Sequence, residues 1–436
     1  MTNGRPGVVE HGAGDADEWV VRASKAFLPG KGFVVDAVVH VRGGTIAWVG
    51  DRAAAEAHSE LAEVPTLTFD DATITPGLID SHTHLTFSGG TRARDQVESE
   101  SDLAQLSRAV GHAQHALAHG VTTLVDCGSR GLTTHALRDA LADDLLAGPR
   151  ILTAGQPITT TAGHCHWLGG SADRRDEVIR SARLRVAEGA DFVKLMLTGG
   201  NMTAGSNPNA LQYPPRTVAA VVSDMARLGR HLVAHAHSVD GVVVAARAGV
   251  RVIAHATCVS DDGRTPEKAA LDLLANAGTF VDPTLTVGLP SHRASEDPAP
   301  PRHGMSRAQV REAMVPVFRE MHARGVPLLA GTDGGSPGVP HHRSAASVQA
   351  LHEEIGLTVE QALAAATDLP ARAFGIREVT GAIEPGLSAD LVVFGGDLSR
   401  DLGALQRPVA VWSRGRRTAA ARELTGGRPC CTTSST

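Results

Sequence analysis

The stretch ITPGLIDSHTHL, residues 74–85, decides how the chain is read. It opens on β-branched and apolar residues, turns at Pro76-Gly77, and closes on two imidazoles, His82 and His84. Residues i and i+2 of a strand face the same side, so both rings can enter one site and hold one cation. The spacing alone is weak evidence. Three such pairs occur among the 21 histidines, the others being His164/His166 and His235/His237. Position separates the first pair: it stands at the predicted C-terminal end of an apolar strand, where barrel enzymes keep their sites.

Outward from this stretch the same rhythm repeats. From about Ile74 to Phe374, short apolar runs alternate with alanine-rich helical stretches. The further runs are VTTLVDCGS, RILTAGQP, DFVKLML, HLVAHAH, VRVIAHAT, TFVDPTL and VPLLAGTDGG. Helical candidates such as DLAQLSRAVGHAQHALAHG and SRAQVREAMVPVFREMHARG are each closed by a glycine C-cap. Eight strand–helix repeats predict an α/β fold, a (β/α)8 TIM barrel. A doubly wound open sheet would give no reason for polar residues at so many strand ends. The flanks differ: EWVVRASKAF, FVVDAVVHVRGGTIAWVG, ADLVVFGG and RPVAVWSRGRR read as short strands and turns. Each flank is too small to bury a face alone, so both chain ends are expected to pair into one small β-sandwich. The expected plan is a flexible tail over 1–18, sandwich over 19–73, barrel over 74–375, sandwich again over 376–424, and a flexible tail over 425–436.

Composition excludes several classes. The 436 residues are 42% apolar and 20% charged, with 47 glycines, as in a loop-rich globular enzyme. Net charge is −6 with scattered arginines, so nucleic acid is not an expected partner. Five cysteines, two of them the adjacent Cys430 and Cys431, make no disulfide framework. No secretory or membrane segment is read: the most apolar window, from Val242 to Val259, contains Arg247, Arg251 and His255. The expected setting is cytoplasmic, with a small-molecule substrate.

Other strands also end in groups able to bind metal. Only four lysines occur, and Lys194 lies inside the apolar DFVKLML. Lysine is seldom buried unless its charge is compensated. A snorkelling or salt-bridged lysine is the plain reading. The sharper one is a neutral amine that adds CO2 to give a carbamate, an anionic oxygen ligand able to bridge two metals. His235 and His255 end strands five and six; either alone reads as a core histidine, but together, after a buried lysine, they read as ligands. Asp333 in LLAGTDGG is an acid after an apolar run, where metal ligation would explain burial. Gly334-Gly335-Ser336-Pro337-Gly338 fits a serine-hydrolase pattern, but Pro337 lacks the N–H an oxyanion hole needs.

This ordered set of motifs resembles the amidohydrolase superfamily, most closely its imidazolonepropionase- and prolidase-like metal-dependent hydrolases. The resemblance covers nearly the whole chain. It implies that His82, His84 and Asp333 hold one metal, that His235 and His255 hold a second, and that carbamylated Lys194 bridges them. Two divalent ions, zinc preferred, would then hold a bridging hydroxide for attack on an amide C–N bond, with Asp333 as base and proton shuttle. Peptides, N-acyl amino acids and cyclic amides are the implied substrates. The alternatives are a one-metal cyclic amidine deaminase and a metal-dependent lyase or isomerase of secondary metabolism. Relatives often form homo-oligomers.

Substrate contacts are expected from the loops. His164 matches a histidine in the relatives' Gly-Gly-His loop, although Ala162 precedes Gly163 here. Tyr213 matches a tyrosine that could bond a substrate carbonyl or carboxylate. His237 is expected on the substrate side of His235, and His341 lies in the loop after strand eight. Ser344 and Ser347 stand where relatives tend to have asparagine and glutamate, which argues against borrowing a peptidase specificity.

Overall fold

Residues 8–10, 17–259, 265–287, 289 and 307–418 are described by the computed structural model. The chain-end strands are β1 (Val8–Glu10), β2 (Glu18–Leu28), β3 (Gly32–Arg42), β4 (Thr45–Asp51) and β5 (Thr66–Pro76). The central strands are β6 (Leu78–Thr83), β7 (Val121–Asp126), β8 (Arg150–Thr153), β9 (Val193–Met196), β10 (Leu232–Ala236), β11 (Val252–His255) and β12 (Phe280–Asp282). β13 (Leu391–Gly395), β14 (Pro408–Ser413) and β15 (Arg416–Thr418) return to the first group. The fold is α/β.

The two chain ends do meet, as one mixed sheet in the order β15-β14-β13-β5-β2-β3-β4, with β1 added on β5. Val8–Glu10 therefore pairs with Leu67–Phe69 rather than trailing as a flexible tail. Trp19 on β2 stacks on Trp412 on β14 with ring centroids 4.9 Å apart, although β5 and β13 lie between them in the sheet. Three strand spacings in a flat sheet would be about 14 Å, so the sheet curls over its own core. The expected tail over 425–436 lies outside the described residues.

The opening stretch divides where its turn residues stand. Ile74 and Thr75 belong to β5 and pair with Val393 and Val392 of β13, so the chain-end sheet runs past residue 73. Gly77 then carries the chain into β6: a Cβ there would sit 2.0 Å from Thr122 Oγ1, a contact only glycine avoids.

Seven of the eight predicted central strands form, in two parallel sheets, β6-β7-β8 and β12-β11-β10-β9. They are short and, apart from Arg150 at the start of β8, fully buried, as befits parallel strands covered on both faces. The eighth, VPLLAGTDGG, is held by isolated parallel bridges instead: Leu328 to Val281 of β12, and Gly334 to Thr83 of β6. Ile158 bridges to Leu195 of β9, joining the end of the β8 segment to the second sheet. One buried cluster draws Ile79, Val125, Leu152, Val233, Val252, Phe280 and Leu329 from these segments, with Phe192 at the entry to β9. A second packs the intervening helices on the other face, among them the helix Asp102–Ala118 through Ala109, Ala113 and Ala116. No helix among the described residues is long and apolar enough to cross a membrane.

Candidate active site

The polar residues at the ends of four central strands and of the bridged eighth segment open on one cavity of about 520 Å³. His82 and His84 reach it from β6 and just beyond it, Lys194 from β9, His235 and His237 from β10 and just beyond it, His255 from β11, and Asp333 from the bridged eighth segment. The backbone holds the first and last together: Asp333 N–H donates to the His82 carbonyl at 2.7 Å, and His84 N–H to the Gly334 carbonyl at 2.7 Å. Asp333 Oδ1 then stands 3.3 Å from His84 Nε2 and 3.7 Å from His82 Nε2.

Two sets of donors emerge. His82, His84 and Asp333 form one; His235, His237 and His255 form the other, and within each set the ligand atoms lie within 4.8 Å of one another. Lys194, 1% exposed, sits beside the first with its Nζ 3.5 Å from His82 Nε2. The His82 and His255 rings stand 5.1 Å apart, so the two sets adjoin. Burial, reinforced by the Lys194 charge and by His84, holds His82 well below the ordinary imidazole range. Burial and neighbouring imidazoles do the same for His235 and His255. Neutral imidazole is the form that ligates a metal, so this donor set fits divalent cations.

The rings are aimed by partners behind them. His84 Nδ1 bonds the Gly128 carbonyl at 3.0 Å and His255 Nδ1 the Thr284 hydroxyl at 2.9 Å, which turns Nε2 of each toward the cavity, and His237 Nδ1 bonds the Thr257 hydroxyl at 3.2 Å. Below them lie carboxylates that the sequence reading passed over. Asp80 accepts from Thr332 N–H, the Thr332 hydroxyl and His82 N–H, tying the Asp333 segment to β6. Asp282 accepts from the Ser81 hydroxyl and from Thr284 N–H. Burial pushes Asp80 up to about 7 and Asp282 up to about 6, against the pull of those hydrogen bonds. The signal was present in the sequence: each is a lone acid inside an apolar run, LIDSH and TFVDP.

A sequence model of the amidohydrolase family matches residues 73–419. The chain belongs to the amidohydrolase family. It is a hydrolase of that type. Imidazolonepropionase of Cereibacter sphaeroides is 28% identical over 408 residues, covering 88% of this chain and 95% of that one. Ochratoxinase of Aspergillus niger is 26% identical over 377 residues, covering 78% of this chain and 74% of that one. A solved Xaa-Pro dipeptidase with methionine in its active site superposes with a TM-score of 0.80 at 27% identity, covering 92% and 99% of the two chains.

The substrate contacts expected of this amidohydrolase divide into two pairs. His164 and His237 line the cavity, the His164 ring 4.5 Å from that of His235. Gly200 makes room for it, since a Cβ there would fall 2.5 Å from the His164 ring. Tyr213 and His341, expected beside them, are not among the residues that line the cavity. Tyr213 is 1% exposed in the helix-packing core, its hydroxyl donating to the Ala172 carbonyl at 2.8 Å. His341 stacks on His112 at 3.9 Å, and its Nε2 bonds the His84 carbonyl at 3.1 Å. Each directs one polar atom to a backbone carbonyl of the scaffold. The remaining cavity wall is mixed: Phe87, Met196, Met202, Val287 and Met314 give it an apolar part, and Arg94, Asp95 and Arg311 line it with charge.

Proposed function

We propose that this amidohydrolase cleaves an amide C–N bond of a small molecule with the help of two divalent cations. The observation that carries the reading is the pair of adjoining donor sets on one cavity with a buried lysine beside them. His82, His84 and Asp333 would hold one ion, and His235 and His255 the other, with His237 at the cavity wall next to them. Lys194, as a carbamate, would supply an anionic oxygen to both. Bound there, such ions would acidify a water and polarise the scissile carbonyl.

The chain's own groups do the rest. The Asp333 carboxylate is positioned to accept the water proton and deliver it to the leaving nitrogen. His164 and His237 offer ring nitrogens to the substrate carbonyl side. Phe87, stacked on His84 with centroids 4.7 Å apart, and the methionine wall exclude bulk water and accept an apolar substituent. The amide class is supported by the relatives' names: a Xaa-Pro dipeptidase and an imidazolonepropionase both open C–N bonds. The reading includes one closed (β/α)8 barrel, supported by the isolated bridges and by the shared inner cluster, and a small sandwich made by the curled chain-end sheet.

Metal counting with a substrate panel tests it. Two ions per chain, with hydrolysis of N-acyl amino acids, dipeptides or lactams, is the expected result. Ammonia release from a cyclic amidine by a protein holding a single ion would replace it with the deaminase reading.

A further inference from the structure

A second gathering of histidines lies outside the catalytic cavity. The helix Asp102–Ala118 carries His112 and His115, and His119 caps its end; His341 and His342 come from the loop after the eighth segment. His115, His119 and His342 are mutual neighbours, with ring centroids 4.7 Å (His115–His119), 4.6 Å (His115–His342) and 4.7 Å (His119–His342) apart. The first two are one helical turn apart, the i, i+4 spacing that sets two side chains on one face. His119 Nδ1 bonds the His115 carbonyl at 2.8 Å, which leaves Nε2 as the atom it offers. All three are half-buried, so an ion has access.

We propose that His115, His119 and His342 form a non-catalytic site for a transition-metal dication of the zinc, nickel or copper(II) type. Imidazole nitrogen suits those ions, and no hard oxygen donor is needed. The rings are inclined to one another by 88°, 58° and 31°, and their nitrogens are less closely gathered than those of the catalytic sets. Binding would turn the rings inward about χ2, a rotation that half-exposed side chains make readily. Burial and the neighbouring His119 and His112 push His115 down to about 4, and burial lowers His119 as well, which favours the neutral imidazole that binds metal. An ion here would pin the loop to the helix. That loop begins at Ser336 and Pro337 on the cavity wall and passes through His341, which bonds the His84 carbonyl. The site would thus act as a staple for one edge of the cavity.

Titrating the full-length holoenzyme, its catalytic site already filled, with Zn(II) and with Ni(II) tests this independently of the proposed reaction. Wild type should take up one further equivalent and melt at a higher temperature. The variants His115→Gln and His342→Gln should each lose that equivalent and the added thermal stability while keeping the basal circular dichroism, catalytic metal content and turnover. A wild-type holoenzyme that binds no further ion overturns the proposal. So does a further equivalent that persists in both variants, which would place it on other histidines.

Discussion

Replacing Lys194 by methionine separates a catalytic lysine from a structural one, because the two predict opposite signs for stability. Lys194 is 1% exposed, and among the described residues no carboxylate oxygen lies within ion-pair distance of its amine. Its nearest polar neighbour is His82 Nε2 at 3.5 Å, a group that cannot neutralise it. The amine is therefore buried without an ion pair among the described residues to offset its desolvation. Methionine keeps the length and most of the volume, and it removes the desolvation penalty of a buried ion, on the order of several kcal/mol. In chelator, Lys194→Met should melt at or above the wild-type temperature. Catalysis should respond the other way. An outer partner of a metal ligand is worth about 10–100-fold. A bridging ligand should exceed that, at about 10³-fold in kcat/KM, or about 4 kcal/mol of transition-state stabilisation. The assays are thermal unfolding followed by circular dichroism, metal content, and turnover of an amide found by the substrate panel. Lys194→Ala should regain part of the activity with a short carboxylate that fills the vacated oxygen position. Activity in Lys194→Met within about tenfold of wild type would falsify the bridging role. A lower melting temperature in chelator would show that the lysine is there for the fold.

Three further predictions concern groups around the site. Thr284→Val removes the hydroxyl that orients His255 through Nδ1, so metal affinity should fall about 10–100-fold with the fold intact; unchanged affinity in a chelator competition would refute that orienting role. Tyr213→Phe deletes a buried bond to the Ala172 carbonyl, which should cost about 1 kcal/mol in denaturant unfolding and leave KM unaltered; a raised KM at unchanged stability would return Tyr213 to the substrate. His231 stacks on Phe192, and burial lowers it to about 4, with the Arg251 charge adding to the effect. Between about 4 and its unfolded value near 6.5 the unfolded chain binds the extra proton, so this residue withdraws stability as pH falls through that window. His231→Phe should flatten the acid limb of a stability–pH profile, and an unchanged limb would count against it.

The sequence is legible where one side chain type answers one physical need. Apolar runs closed by polar residues mark the parallel strands, since few other structures bury Val193 and Leu195 on either side of a lysine. The glycine that ends several helices is equally plain: Gly120, Gly249 and Gly278 all take left-handed φ values. Reading stops where tertiary pairing chooses between equals. Ile74 and Ile79 are equally strand-like, yet one pairs with Val393 in the chain-end sheet and the other joins the inner cluster. Tyr213 and His341 sit in loops beside the site, and nothing in their neighbours tells a phenol that reaches a ligand from one that reaches a carbonyl. The buried carboxylates are a different case, because Asp80 and Asp282 stand in plain view among apolar neighbours.

His255 shows why ligand assignment cannot rest on strand alternation alone. In the parallel pairing of β10 with β11, His235 is level with Ala254 and Ala236 with His255. Level partners in a parallel pair face the same side, so regular strands would send His235 inward and His255 outward toward the helices. Their rings nevertheless stand 4.6 Å apart. The backbone accounts for it: His255 has φ +70° and Ala256 φ +44°, left-handed values that turn the side chain back into the cavity. Asp333 repeats the device at φ +58° and Thr284, which orients His255, at φ +48°. Such conformations cost about 1–3 kcal/mol each in a residue with a Cβ. They persist here because Ala256 N–H still finds the Ala236 carbonyl and Asp333 N–H the His82 carbonyl, so the turned residues keep their hydrogen bonds. Asp36, Asp71, Asp144 and Arg414 take such values too, away from the cavity, but at His255 and Asp333 the left-handed turn is what brings an imidazole and a carboxylate to a common point.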